Sequence, residues 1–410
     1  MSTTTPTLQP DTIAAPNFVP ASGPPLTVVC LPSLSHEAFA TVQANLHQVF
    51  PHLPVIIATP DAVPETDGPS NFKVATYTPL AQPRGAWVPT AADYLNAWTV
   101  AREHKPTAIL LLGNESASVS VETLRLLATG VLDHHDLVLP RYPVGPHDAL
   151  FNSAILYPLT RSLFSHHVRF PLPIDAALSS RMAERLAAAA QRLTANNQGE
   201  ALVWPVAEAS VAGYSVRDIP GEHRILPTPT TDDFSTLLAT IAGSLFTDVE
   251  SKAAFWQRAR LNNPSPRTTP YVTQATPQDA NPLDLAPMIE SFRNAYTNLR
   301  ELWSLVLPPN SLLALKKLSV TPAENFRMPD SLWARTIYDF LLAYRLRTIN
   351  RGHLLGALTP LYLAWVASHL HLIDGDPGAA EQHIEATAAA FEADKPYIVA
   401  RWRWPDRFNP

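Results

Sequence analysis

TAILLLG, residues Thr107–Gly113, is apolar without a break from Ala108 to Leu112. Such a run suits a central parallel strand covered on both faces. Just before it lies TAADYLNAWTVAREH (Thr90–His104), whose apolar residues recur at helical spacing, and VETLRLLATGVL (Val121–Leu132) follows with the same period. Further out the alternation continues. LTVVCLP (Leu26–Pro32), LPVIIATPD (Leu53–Asp61), FKVATYT (Phe72–Thr78) and DLVLPRY (Asp136–Tyr142) read as strands, and HEAFATVQANLHQVF (His36–Phe50) as a helix. Strands alternating with helices predict an α/β fold, a mostly parallel sheet with right-handed crossovers and helices on both faces. In such sheets ligands sit at the carboxyl ends of the strands.

Beyond this region DAALSSRMAERLAAAAQRL reads as a helix from Asp175 to Leu193, and the pattern is then irregular up to Pro229. TPTTDDF supplies capping residues for a helix from Asp232 that runs past Trp256. Residues Asn262–Pro287 are rich in Pro, Thr, Asn and Gln and read as a flexible linker. Helices then follow at Met288–Leu307, Asn310–Leu318, Pro329–Thr348, Gly352–Leu372 and Gly378–Arg401. The expected organisation is a disordered lead-in over 1–25, an α/β domain over 26–230 and a helical domain over 231–410.

Of the 410 residues 46% are hydrophobic and 16% charged, enough apolar material for a large core and too much for wholesale disorder. With 14 glycines the chain is poor in material for Gly-rich phosphate loops, and 41 prolines are roughly twice average usage. A net charge of -6 argues against attraction to nucleic-acid backbone. The single cysteine, Cys30, excludes an intrachain disulfide and a Cys-based metal site, and implies a reducing compartment. MSTTTPTLQPDTIAAP lacks the basic and apolar regions of a secretory signal. Leu354–Ile373, LLGALTPLYLAWVASHLHLI, approaches the length of a span but carries Pro360, His369 and His371. It reads as a buried or partner-facing helix; peripheral membrane contact stays open.

GxxxxGK[ST], GxGxxG, HExxH and GxSxG are all missing, which removes the usual markers of P-loop, dinucleotide, zinc-protease and serine-hydrolase chemistry. Polar residues at strand ends remain. Asp61 reads either as an acceptor for a ribose or base, or as a turn or capping residue. Gly113–Ser116 (GNES) reads as a polar loop or as a weak ligand set for a hard cation. Arg141–Asp175, RYPVGPHDALFNSAILYPLTRSLFSHHVRFPLPID, carries Asn152, Tyr157, Thr160, Arg161 and Arg169 among apolar residues. There an arginine either offers a planar, bidentate donor to a ligand anion or forms an internal salt bridge. His223 in GEHRILP is either solvated or the completion of a metal site, and the tail RWRWPDRF (Arg401–Phe408) suits packing better than RNA stacking.

LPRY, FNSAILYPLTRSLF and VRFPLPID together resemble the GT-A glycosyltransferases of the glucosylglycerate and mannosylglycerate synthase type. The resemblance extends weakly over residues 26–370, through PRGAW (Pro83–Trp87) and LRTINRGHLLGALTPLY (Leu346–Tyr362). It implies a GT-A fold, transfer of a sugar from a nucleotide-diphosphate donor to a small acid such as glycerate or phosphoglycerate, Mg²⁺ or Mn²⁺ as cofactor, and a homodimer in the cytoplasm. Carried over, Asp61, Arg84 and Gly85 would bind the donor and Asp175 would be catalytic. Asn152, Thr160 and Arg161 would line the acceptor pocket, and Glu115 and His223 would hold the metal.

The sequence departs from the family twice. The Asp-x-Asp after the central strand aligns with Gly113–Glu115 (GNE), where both aspartates are lost and Glu115 stands in the second position. A later acid before a tryptophan aligns near Leu202–Trp204 and is here Leu202. Losing the acidic pair removes much of the charge neutralisation that a departing nucleoside diphosphate needs. The sequence therefore leans to an enzyme, a hexosyltransferase with a degenerate metal motif. The alternative is a non-catalytic relative that binds a nucleotide sugar or a partner protein. The first reading expects Asp175→Ala to abolish transfer and leave the thermal midpoint nearly unchanged.

Overall fold

The computed structural model describes residues 26–61, 71–80, 87–195, 201–227, 233–259, 284–374 and 376–404. Among them seven strands form one sheet: β1 (Thr27–Cys30), β2 (Val55–Thr59), β3 (Phe72–Thr76), β4 (Ala108–Leu111), β5 (Leu137–Arg141), β6 (Ala176–Leu178) and β7 (Val216–Pro220). Their order is β3-β2-β1-β4-β6-β5-β7. Every pairing is parallel except those of β6, which runs antiparallel to both β4 and β5. The connecting helices are α1 (His36–Val49), α2 (Ala91–His104), α3 (Val121–Leu132), α4 (Tyr157–Phe164), α5 (Ser180–Thr194) and α6 (Pro205–Ala212). Side chains alternate across each strand. Val29 and Leu110 therefore pack under α1 and α3, while Val28 and Ile109 pack under α2 and α5. The expected mostly parallel sheet with helices on both faces is what forms.

The helix expected from Asp175 begins instead as a strand. Ala176–Leu178 fills the gap between β4 and β5, a pairing that alanine-rich sequence does not announce. Ser179 then caps α5 by accepting a hydrogen bond from the Met182 amide at 3.2 Å. The irregular stretch before Pro229 contains α6 and the edge strand β7.

Among the described residues, the part after β7 forms helices: α7 (Phe234–Ser251), α8 (Ala253–Trp256), α9 (Ala286–Ser304), α10 (Pro309–Ser319), α11 (Asp330–Leu346), α12 (Arg351–Ile373), α13 (Pro377–Ala393) and α14 (Lys395–Arg403). The single helix expected over Gly378–Arg401 is two, because Pro396 has no amide to donate and takes the second position of a new helix. Most of the expected linker, residues 262–283, and the lead-in 1–25 lie outside the described residues. No helix among the described residues is long and apolar enough to cross a membrane. The apolar run Leu354–Ile373 instead forms most of α12, buried against α7, α9 and α13. Trp402 of the tail is buried too, edge-on to Trp256 with ring centroids 5.0 Å apart.

The two halves share a core. Helix α4 and the wide turn before it, Asn152–Leu156, belong to the same apolar cluster as α7, α11 and α12. Pro158 cannot supply the amide that would bond the Ala154 carbonyl one turn back. The indole Nε1 of Trp333 in α11 donates to that carbonyl at 2.8 Å. The segment that carries the family resemblance is thus a joint between the sheet and the helices.

Candidate functional site

Because β6 is antiparallel to its neighbours, its first residue lies at the carboxyl edge of the parallel strands. This brings Asp175 beside the loop that leaves β4. The Gly113 amide donates to Asp175 Oδ1 at 2.8 Å, and a side chain at Gly113 would put its Cβ 2.8 Å from the Ile174 carbonyl oxygen. Tyr142, just past β5, donates its hydroxyl to Asp175 Oδ2 at 2.7 Å. Arg224, beyond β7, closes the ring: its Nε lies 2.9 Å from Oδ2 and its Nη2 3.2 Å from Oδ1.

The Arg224 guanidinium also grips the loop itself. Nη2 donates to the Asn114 carbonyl at 2.7 Å, and Nη1 donates to the carbonyls of Glu115 at 2.6 Å and Ile225 at 2.9 Å and to Ser118 Oγ at 3.1 Å. Neither Asp175 nor Arg224 exposes any side-chain surface. Burial opposes the charge on Arg224, but the hydrogen bonds and charge of Asp175 outweigh it and raise its pKa. Burial first, and then the Asp175 charge, pushes the Tyr142 phenol well above its ordinary value. Chemically this is a sealed, charge-neutral knot.

Glu115 and His223 are the residues expected at the ion. Glu115 adopts a left-handed backbone (φ 61°), its carbonyl is taken by Arg224 and by Ser118 Oγ, and His223 is exposed. Among the described residues no three His, Cys, Asp or Glu side chains gather to hold a metal. The charged side chain that does reach this loop's backbone, among the described residues, is the Arg224 guanidinium.

Asp61, at the end of β2, receives the Ser33 hydroxyl at 2.8 and 2.7 Å and the Leu34 amide at 3.1 Å. It pins the loop between β1 and α1, as a turn aspartate does. Arg84 and Gly85 lie outside the described residues. Between Leu31, Tyr77, Asp93 and Asn114 the strand ends leave a hollow of about 30 Å³. Cys30 beneath it is an inert thiol, pushed up to about 12 by burial and then by the Asp93 charge.

The residues expected around an acceptor are occupied elsewhere. Arg161 of α4 makes a two-pronged pair with Glu392 (Nε to Oε1 3.0 Å, Nη2 to Oε2 2.8 Å) and reaches Glu385 Oε2 at 2.7 Å. Both carboxylates belong to α13. Asn152 donates to the Arg169 carbonyl at 2.8 Å, and Thr160 is buried within α4. The internal salt bridge is the arrangement observed. Sequence reasoning missed Arg224 and Tyr142, although LPRY ends in that tyrosine and Arg224 directly follows His223. A hollow of about 1100 Å³ lies elsewhere, and its lining contains none of the residues expected at a site.

No protein-family profile matches the chain, and no curated protein does. Solved structures that resemble it include glucosyl-3-phosphoglycerate synthase from Mycobacterium tuberculosis in complex with phosphoglyceric acid. That pair shares 14% identity over 55% of this chain and 80% of the other, with a TM-score of 0.32. The same enzyme with Mn²⁺, uridine diphosphate and glucosyl-3-phosphoglycerate gives the same values. A mycobacterial protein matches at 12% identity over 56% and 74% of the two chains, also with a TM-score of 0.32. Likeness at that level decides neither fold nor activity, which rest here on the sheet and on the geometry at its edge.

Proposed function

We propose that this chain is a GT-A-type scaffold that has given up ion-dependent sugar transfer and acts as a binding protein. One observation carries this reading: among the described residues the cation that reaches the loop after β4 is Arg224, and its N–H groups are engaged by Asp175, Asn114, Glu115, Ser118 and Ile225. A guanidinium committed in this way cannot turn to a departing diphosphate. Asp175, sealed and neutralised, cannot meet a substrate. The sheet, with its carboxyl edge and helices on both faces, and the YPLTR resemblance support the ancestry.

The deciding experiment incubates the protein with UDP-glucose or GDP-mannose, with glycerate or 3-phosphoglycerate, and with Mn²⁺ or Mg²⁺. No release of nucleotide above background is expected, and UDP titrated by calorimetry should respond equally with Mn²⁺ and with EDTA. Turnover that depends on the ion would restore the hexosyltransferase reading. On the proposed reading the protein is a cytoplasmic homodimer. Support for the dimer comes from the exposed Leu313 and Val320 at α10, and analytical ultracentrifugation tests it.

A further inference from the structure

The chain has a net charge of -6, yet one end of its helical half collects positive charge. There the last turns of α11 and α14 meet. Arg345 holds its guanidinium carbon 4.3 Å from the centre of the Trp402 ring and donates to the Trp402 carbonyl at 2.6 Å. Arg403 donates to Gln257 Oε1 at 3.2 Å, which sets the end of α14 against the residues after α8, where Arg258 follows. Arg347 takes the left-handed position that ends α11 (φ 54°) and is exposed, as are Arg258 and Arg403. The next arginine, Arg351, is balanced by Glu250 at 2.8 Å. Among the described residues no carboxylate pairs with Arg258, Arg345, Arg347 or Arg403.

Two apolar side chains stand out among these charges. Trp402 packs on Trp256, but Trp404 is 62% exposed, and Leu346, between Arg345 and Arg347, is 45% exposed. Such a mixture matches a lipid interface, where tryptophan and aliphatic groups enter the acyl boundary and cations stay at the headgroups. Single-stranded nucleic acid instead takes a basic groove with successive stacking rings. Among its described residues this end exposes one ring, Trp404.

We infer that this end of the helical half docks on an anionic membrane surface, with Trp404 and Leu346 in the interface and the four arginines on lipid phosphates. Each basic side chain near such a surface strengthens binding about fivefold. The inference uses no residue at the strand ends, so it stands apart from the loss of sugar transfer.

The test is co-sedimentation of the full chain with vesicles of equal parts phosphatidylcholine and phosphatidylglycerol. Binding to these is expected, and none to phosphatidylcholine alone. Arg347→Asn with Arg403→Gln, both at exposed positions, should weaken binding by about tenfold or more. Lys316→Gln with Lys317→Gln removes the same charge from the exposed face of α10 and should leave binding unchanged. Trp404→Ala with Leu346→Ser should weaken it roughly fivefold. Circular dichroism confirms that the variants fold. No binding to the anionic vesicles, equal losses in the arginine and lysine variants, binding untouched by the Trp404 and Leu346 changes, or stronger binding to oligouridylate at the same phosphate concentration would each overturn the assignment.

Discussion

Asp175 and Arg224 face each other at 2.9 Å across the carboxyl edge of the sheet, and neither side chain touches solvent. The pair joins β6 to the strand after it and, through the Gly113 amide and the Asn114 and Glu115 carbonyls, to the loop leaving β4. Removing one partner strands a buried charge, which costs about 3–5 kcal/mol. Asp175→Ala is therefore expected to lower the unfolding free energy by that order, where the transferase reading expects an unchanged midpoint. Urea unfolding of Asp175→Asn, Arg224→Met and the double variant should show the double well short of the summed losses. An additive result would mean that the two side chains are energetically independent.

Arg161 ties α4 to α13 through Glu385 and Glu392, whose side chains are 32% and 23% exposed. Water screens part of that attraction, so Arg161→Ala is expected to cost about 2–3 kcal/mol, below the full buried-pair value. A double-mutant cycle with Glu392→Gln measures the coupling. Unchanged stability in Arg161→Ala would free that guanidinium for a ligand after all.

The Trp333 indole replaces the amide that Pro158 lacks. Trp333→Phe keeps the ring in the core but leaves the Ala154 carbonyl unbonded, a loss of about 1–3 kcal/mol. In a Pro158→Ala background an amide is available again, and the same change should cost less. Thermal melts of the four proteins compare the two losses, and equal losses would show that the indole does not serve that carbonyl.

Burial, followed by the neighbouring His383, holds His369 down to about 3. Its Nδ1 lies 2.7 Å from that of His383, which reaches Asp330 at 3.0 Å, and both rings stack on Trp365. The unfolded chain takes up this proton near pH 6.5 and the folded one does not. Stability is thus full above about pH 6.5 and declines toward pH 3, by up to ~1.4 kcal/mol per pH unit for one such group. His166, lowered to about 4, adds to the slope. Melting midpoints should fall between pH 6.5 and 4.5, and less steeply in His369→Gln; parallel curves would remove His369 as a source.

The helix Val121–Leu132 and the strand within Thr107–Gly113 were legible because a helix period or an apolar run is written into neighbouring residues. Ala176–Leu178 was not, since three small residues become a strand only where β4 and β5 leave a slot between them. The candidate site was legible only in part. Asp175 was noticed, but its partner lies 49 residues on, and the partners of Arg161 lie 224 and 231 residues away.

By itself the sequence determined a mostly parallel sheet wrapped in helices and a helical second half, because each depends on local pattern. Whether a buried aspartate serves chemistry or architecture was decided by tertiary structure alone. Its role depends on which distant charge arrives beside it, and in this fold the strand order delivers Arg224.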